Sequence, residues 1–138
     1  MIAKYSLAAL SLPALFGASL ALIACSAAVA DMDVGKEVET AAKHAGLAAG
    51  SKDLKTAQMH LHHTINCIVG PQGNGFDASR GNPCKDLGSG AIPDTQDAAK
   101  KKSLRQALTK ANAGLKLSDL AAAQNDAQEA QGLIQKAM

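Results

Sequence analysis

The stretch DLKTAQMHLHHTINCIVGP, residues 53–71, decides how the rest of the chain is read. Leu54, Ala57, Leu61, Ile65 and Ile68 recur at steps of three and four, the spacing of one face of an α-helix. Asp53 or Ser51 stands where an N-cap is wanted, and Gly70-Pro71 ends the pattern. The segment therefore predicts one amphipathic helix. That helix also carries His60, His62, His63 and Cys67, so its chemistry-bearing side chains ride on a rigid rod.

Working toward the N-terminus, Val34, Val38, Ala41, Ala45 and Ala48 predict a helix from about Asp33 to Ala49, broken by Gly50-Ser51-Lys52. In the other direction, Gly70 to Thr95 holds six Gly and three Pro with no sustained period. A loop this long is unusual unless it is stapled or functional. A third helix is expected from near Asp94 or Thr95, with Leu104, Leu108, Ala111 and Leu115 as its seam. After a break around Gly114 to Ser118, with Ser118 as N-cap, a fourth presents Leu120, Ala123, Ala127, Ala130, Ile134 and Ala137.

The two halves look alike. Asp53-Leu54-Lys55-Thr56-Ala57-Gln58 matches Asp119-Leu120-Ala121-Ala122-Ala123-Gln124 at four of six positions. Ala45-Gly46-Leu47 recurs as Ala113-Gly114-Leu115 with a two-residue slip. A duplicated helical hairpin explains this, and so does coincidence in an Ala-rich chain. The expected fold is all-α: a four-helix bundle of two hairpins, 33–69 and 96–138, joined by the 70–95 loop within one domain, 31–138.

Residues 1–30, MIAKYSLAALSLPALFGASLALIACSAAVA, have the parts of a secretory signal peptide: Lys4, an apolar stretch from Ser6 to Ile23, and small residues at Ala28-Val29-Ala30. Leu22-Ile23-Ala24-Cys25 also resembles a lipoprotein lipobox, in which Cys25 would carry lipid. Either reading exports the chain, to the periplasm or outside the cell. Only the second tethers it to a membrane. Of the three cysteines, Cys67 and Cys84 then remain, and an oxidising compartment would join them into a disulfide that staples the loop. The competing reading leaves Cys67 as a free thiol ligand beside His63.

Composition excludes several functions. The chain has 138 residues and a net charge of +2. Cleavage after Ala30 leaves Phe76 as the one aromatic, which disfavours base stacking, and a net charge of +1, too small for a nucleic-acid surface. No nucleophile–base or carboxylate pair is specified by spacing, so an enzyme is not expected. The run Lys100-Lys101-Lys102 with Arg105 reads as a solvated helix face, or more weakly as a contact for anionic lipid.

All four histidines fall between His44 and His63. Helical residues advance by about 100° each. With Leu61 pointing into the core, His60 and His62 flank it on opposite sides and His63 points nearly outward. His60 and His63 share a surface stripe, with Met59 a neighbour of His63. An antiparallel hairpin brings His44 within about a turn of His60. His44, His60 and His63 can thus converge near one groove, with His62 facing elsewhere; all four are candidate metal ligands. Imidazole suits copper, nickel and zinc, and thioether sulfur favours cuprous copper. The competing readings are incidental surface histidines and a pH-responsive contact. His-Glu-x-x-His and Cys-x-x-Cys-His are both absent.

Ala41-Ala42-Lys43-His44-Ala45, then Leu54 and Ala57, then His60-Leu61-His62-His63, resembles the small metal-binding proteins of the bacterial periplasm. The resemblance covers residues 34–66. It implies a short exported helical bundle that binds divalent copper, nickel or zinc, with His44, His60 and His63 as ligands by position. That family is His-rich throughout, whereas this chain has no His after His63, so the resemblance implies one or two sites rather than storage. The function expected is non-enzymatic binding of a divalent transition metal. The alternative is an envelope interaction module that uses the Gly-rich loop to contact an envelope protein, with the histidines incidental.

Overall fold

The computed structural model describes residues 32–138. The expected signal peptide and the lipobox at Cys25 lie outside the described residues.

Within them the chain is all-helical, with five α-helices and no strand. Helix α1 spans Val34–Ala49 and α2 spans Leu54–Val69. A 3-10 turn at Ala78–Arg80 and the four-residue α3, Ala91–Asp94, follow in the loop. Helix α4 runs over Ala98–Gly114 and α5 over Leu120–Gln135. No helix among the described residues is long and apolar enough to cross a membrane.

Each long helix begins at an aspartate. Asp33, Asp53, Asp97 and Asp119 accept backbone N–H groups from the first turns of α1, α2, α4 and α5. These donors have no partner inside a helix, and the negative charge also suits the helix dipole. Two expected starts move accordingly. The third long helix begins at Ala98 rather than near Asp94 or Thr95. Thr95 is extended, which separates the short α3 from α4, and Asp97 binds the Ala99 and Lys100 amides. The fourth is capped by Asp119, whose side chain takes the Ala122 amide, and not by Ser118.

Most of the seam residues expected from periodicity are buried, while Val34, Leu54, Leu108, Leu115 and Leu120 are only half-buried. Val38, Ala41, Ala45 and Ala48 of α1 meet Leu61, Ile65 and Ile68 of α2 in a shared core. Leu104, Ala107 and Ala111 of α4 join them, with Ala127, Ala130 and Ile134 of α5. Helix α1 lies against both α2 and α5, α4 lies against α5, and α2 also touches α4. Alanine along these seams lets the rods approach closely while keeping high helix propensity.

The long loop is tied to this core. Cys67 on α2 and Cys84 in the loop form a disulfide. Both sulfurs are buried within the core, and Phe76, Leu87 and Ile92 pack against it from the loop side.

Candidate metal centre

Three histidines come from one hairpin. His44 lies on α1, and His60 and His63 lie on α2. Their meeting depends on how α2 is rotated, and Leu61 marks the face turned to the core. It is fully buried, and its Cδ1 lies 2.9 Å from where a Cβ would stand on Gly114 of α4. The missing side chain at Gly114 lets α4 approach Leu61 closely. With Leu61 held there, His60 and His63 are turned toward α1.

One ring nitrogen of each of His44, His60 and His63 lies within 4.8 Å of the others. Nδ1 of His44 stands 3.2 Å from Nδ1 of His60. The His44 ring is 4.8 Å from that of His63 between centroids, edge to face. All three side chains are half-buried.

The tautomer of His63 follows from its partner. Nε2 of His63 lies 2.7 Å from the carbonyl oxygen of Arg80. A carbonyl only accepts, so Nε2 carries the hydrogen. In the neutral ring Nδ1 is then a bare lone pair, and it is buried with no hydrogen-bond partner. A buried acceptor without a partner costs about 1–3 kcal/mol and calls for a structural or chemical reason. A lone pair held beside two other imidazoles is the donor atom that a metal ion would use.

Electrostatics disfavour a proton on two of the three rings. Burial, reinforced by the charges of His63, His60 and Lys43, lowers His44 from its ordinary value to about 4. Burial and then His63 also lower His60. The neutral imidazole is the ligating form. Among the described residues no Asp, Glu or Cys joins the group, so the donor set is entirely imidazole. Metal–nitrogen bonds of about 2.0–2.1 Å at tetrahedral angles place ligand nitrogens about 3.3 Å apart, close to the His44–His60 spacing. Three donors leave a fourth position for water or another ligand, and imidazole suits zinc, copper and nickel.

His62 does not belong to this group. Burial lowers its pKa, with Arg80 of the loop as the next cause. His63 was expected to point nearly outward, and the loop covers it instead. Helical angle alone says nothing about a distant segment that folds back. Met59 is partly exposed.

Two further features carry no local sequence signal. Glu37 is fully buried in the first turn of α1, where its Oε1 accepts the Gly90 amide at 2.9 Å and its Oε2 has no partner. The second is an ion triad on the other hairpin. Helix α5 repeats the bounds of α2, with Leu54 answered by Leu120 and Val69 by Gln135. At that shift His44, His60 and His63 correspond to Lys110, Asp126 and Glu129. Nζ of Lys110 lies 3.5 Å from Asp126 and 2.6 Å from Glu129. The internal match of 53–58 with 119–124 was the signal that could have located it.

The chain matches no protein-family model, no curated protein sequence and no solved structure. The functional argument therefore rests on the site.

Proposed function

We propose that this chain is an exported, non-enzymatic protein whose four long helices form a bundle, and that it binds a divalent transition-metal ion, copper, nickel or zinc, through His44, His60 and His63. One observation carries the reading: three imidazole nitrogens from two adjacent helices converge within 4.8 Å. The bare, buried Nδ1 of His63 supports it. The Cys67–Cys84 disulfide supports an oxidising compartment, because such bonds persist outside the reducing cytosol. The resemblance to small periplasmic metal-binding proteins agrees with both.

Titration calorimetry of the purified chain with cupric, nickel and zinc ions tests the reading. We expect one ion per chain and loss of that binding in a His60→Ala/His63→Ala double variant. Affinity weaker than about 0.1 mM for all three ions, a free energy of only about 5–6 kcal/mol, would sink it. So would binding unchanged in the double variant.

A second reading draws on an apolar cleft between the loop and α4, lined by Val69, Ile92, Pro93 and Leu108. In that reading the loop contacts an envelope protein. An Ile92→Ser/Leu108→Ser variant that keeps its metal but loses a partner captured from the native envelope would favour it.

A further inference from the structure

We propose that the loop segment Asp77–Gly81 is a working part of the metal centre, orienting His63 for ligation through Nδ1, and that Asn66 is the positioning residue that holds this segment in place. The inference rests on the metal-binding reading above.

Asn66 is fully buried on α2, three residues after His63 and next to Cys67. Its side chain uses both ends of its amide on the loop. Nδ2 donates to the carbonyl of Asp77 at 2.8 Å and to that of Gly81 at 2.6 Å. Oδ1 accepts the backbone amide of Asp77 at 2.9 Å. One side chain thus clasps both ends of a five-residue segment, and Arg80 lies between those ends. The carbonyl of Arg80 is the acceptor for Nε2–H of His63. Cys84, just beyond the segment, is fixed to Cys67. Positions 63, 66 and 67, within little more than one turn of α2, each grip the same stretch of loop.

An imidazole can ligate through either nitrogen and can swing about its terminal torsion. A hydrogen-bond acceptor on the other nitrogen fixes both choices and raises ligand basicity. Here that acceptor is a main-chain oxygen, so no side chain at position 80 can supply or remove it. Its place is set by Asn66, whose buried amide would otherwise have to find other partners. The clasp ends with Nδ1 of His63 as the lone pair left free, on a ring 4.8 Å from that of His44 and 5.8 Å from that of His60 between centroids.

The test compares metal affinity in the full chain, by competition with a chromophoric chelator, for whichever of zinc, nickel and cupric ions binds most tightly. Loss of the supporting partner of a ligating histidine typically weakens binding about 10–100-fold, and Asn66→Ala is expected to fall in that range. A double-mutant cycle separates positioning from general structural damage. In a His63→Ala background, Asn66→Ala should have no further effect, because Asn66 acts through His63. Proton–nitrogen spectra give a second readout: a slowly exchanging Nε2–H signal from His63 that disappears in Asn66→Ala. If Asn66→Ala does not fold, Gly81→Val replaces it. Gly81 is exposed with a φ of 82°, which a branched side chain rarely adopts, so Gly81→Val strains the segment from outside the core. Affinity within twofold of wild type in the folded variant, or additive losses in the cycle, would overturn the proposal while leaving the metal reading standing. A wild-type chain that binds none of the three ions would overturn both.

Discussion

His63 holds a backbone carbonyl with one ring nitrogen and keeps the other dry beside two imidazoles, whereas His62, its neighbour in sequence, lies outside the cluster. Adjacent histidines on one helix should therefore behave differently. His63→Ala is expected to weaken metal binding by more than about 100-fold, beyond the usual cost of losing only a supporting partner, and His62→Ala by less than about threefold. Chelator competition on the two single variants checks this. Protons act on the fold at the same scale. The folded chain refuses a proton at His44 between its ordinary 6.5 and about 4, where the unfolded chain binds it, so that contribution to stability rises with pH. Glu37 has the opposite sign. Burial raises it from 4.5 to about 7, the folded chain keeps a proton the unfolded chain releases, and stability falls as pH rises through that window. The shift is worth about 3 kcal/mol at fully buried Glu37 and less at partly solvated His44. Across the overlap the two slopes oppose each other. Urea unfolding of the metal-free chain at stepped pH should show a flatter profile in the wild type than in either variant. Glu37→Gln should unmask stability that climbs with pH, and His44→Gln stability that declines. Parallel profiles in all three would contradict both assignments.

At the scale of the element, each long helix is defined by an aspartate at its start and a small-residue seam along its length. Asp53→Ala removes the acceptor for the Thr56 amide and is expected to cost about 1 kcal/mol in chemical denaturation. Gly114→Val pushes a side chain into Leu61 and is expected to cost about 1–3 kcal/mol. Because Leu61 adjoins His60 on α2, this variant should also weaken metal binding although it touches no histidine. Helices α1 and α2 were readable because their apolar residues recur at three- and four-residue steps and their caps are chemically explicit. The start of α4 was not, because Thr95 and Asp97 are both acceptable caps and only the extended backbone at Thr95 decides between them. Convergence of His44, His60 and His63 followed from angle and hairpin geometry, which are local. The Arg80 carbonyl over His63 did not, since it is a main-chain atom of a distant segment and no side-chain pattern announces it.

For the whole molecule, the loop and the cluster form one unit joined to the core by a covalent bond. Reducing or replacing the Cys67–Cys84 bond frees a loop whose ends are 17 positions apart in sequence. A Cys67→Ser/Cys84→Ser variant is expected to lose about 3 kcal/mol of stability, measured by denaturant unfolding. Metal acts in the other direction. An ion bound only by the folded chain at 100 times its dissociation constant adds about 2.7 kcal/mol, roughly a 10 °C rise in melting temperature for a domain of this size. The Lys110–Asp126–Glu129 triad has a consequence of its own. The scaffold brings three side chains to a common point twice, once as imidazoles and once around a tethered ammonium. Grafting the first set onto the second, as Lys110→His/Asp126→His/Glu129→His, should turn a one-ion protein into a two-ion protein on an unchanged backbone.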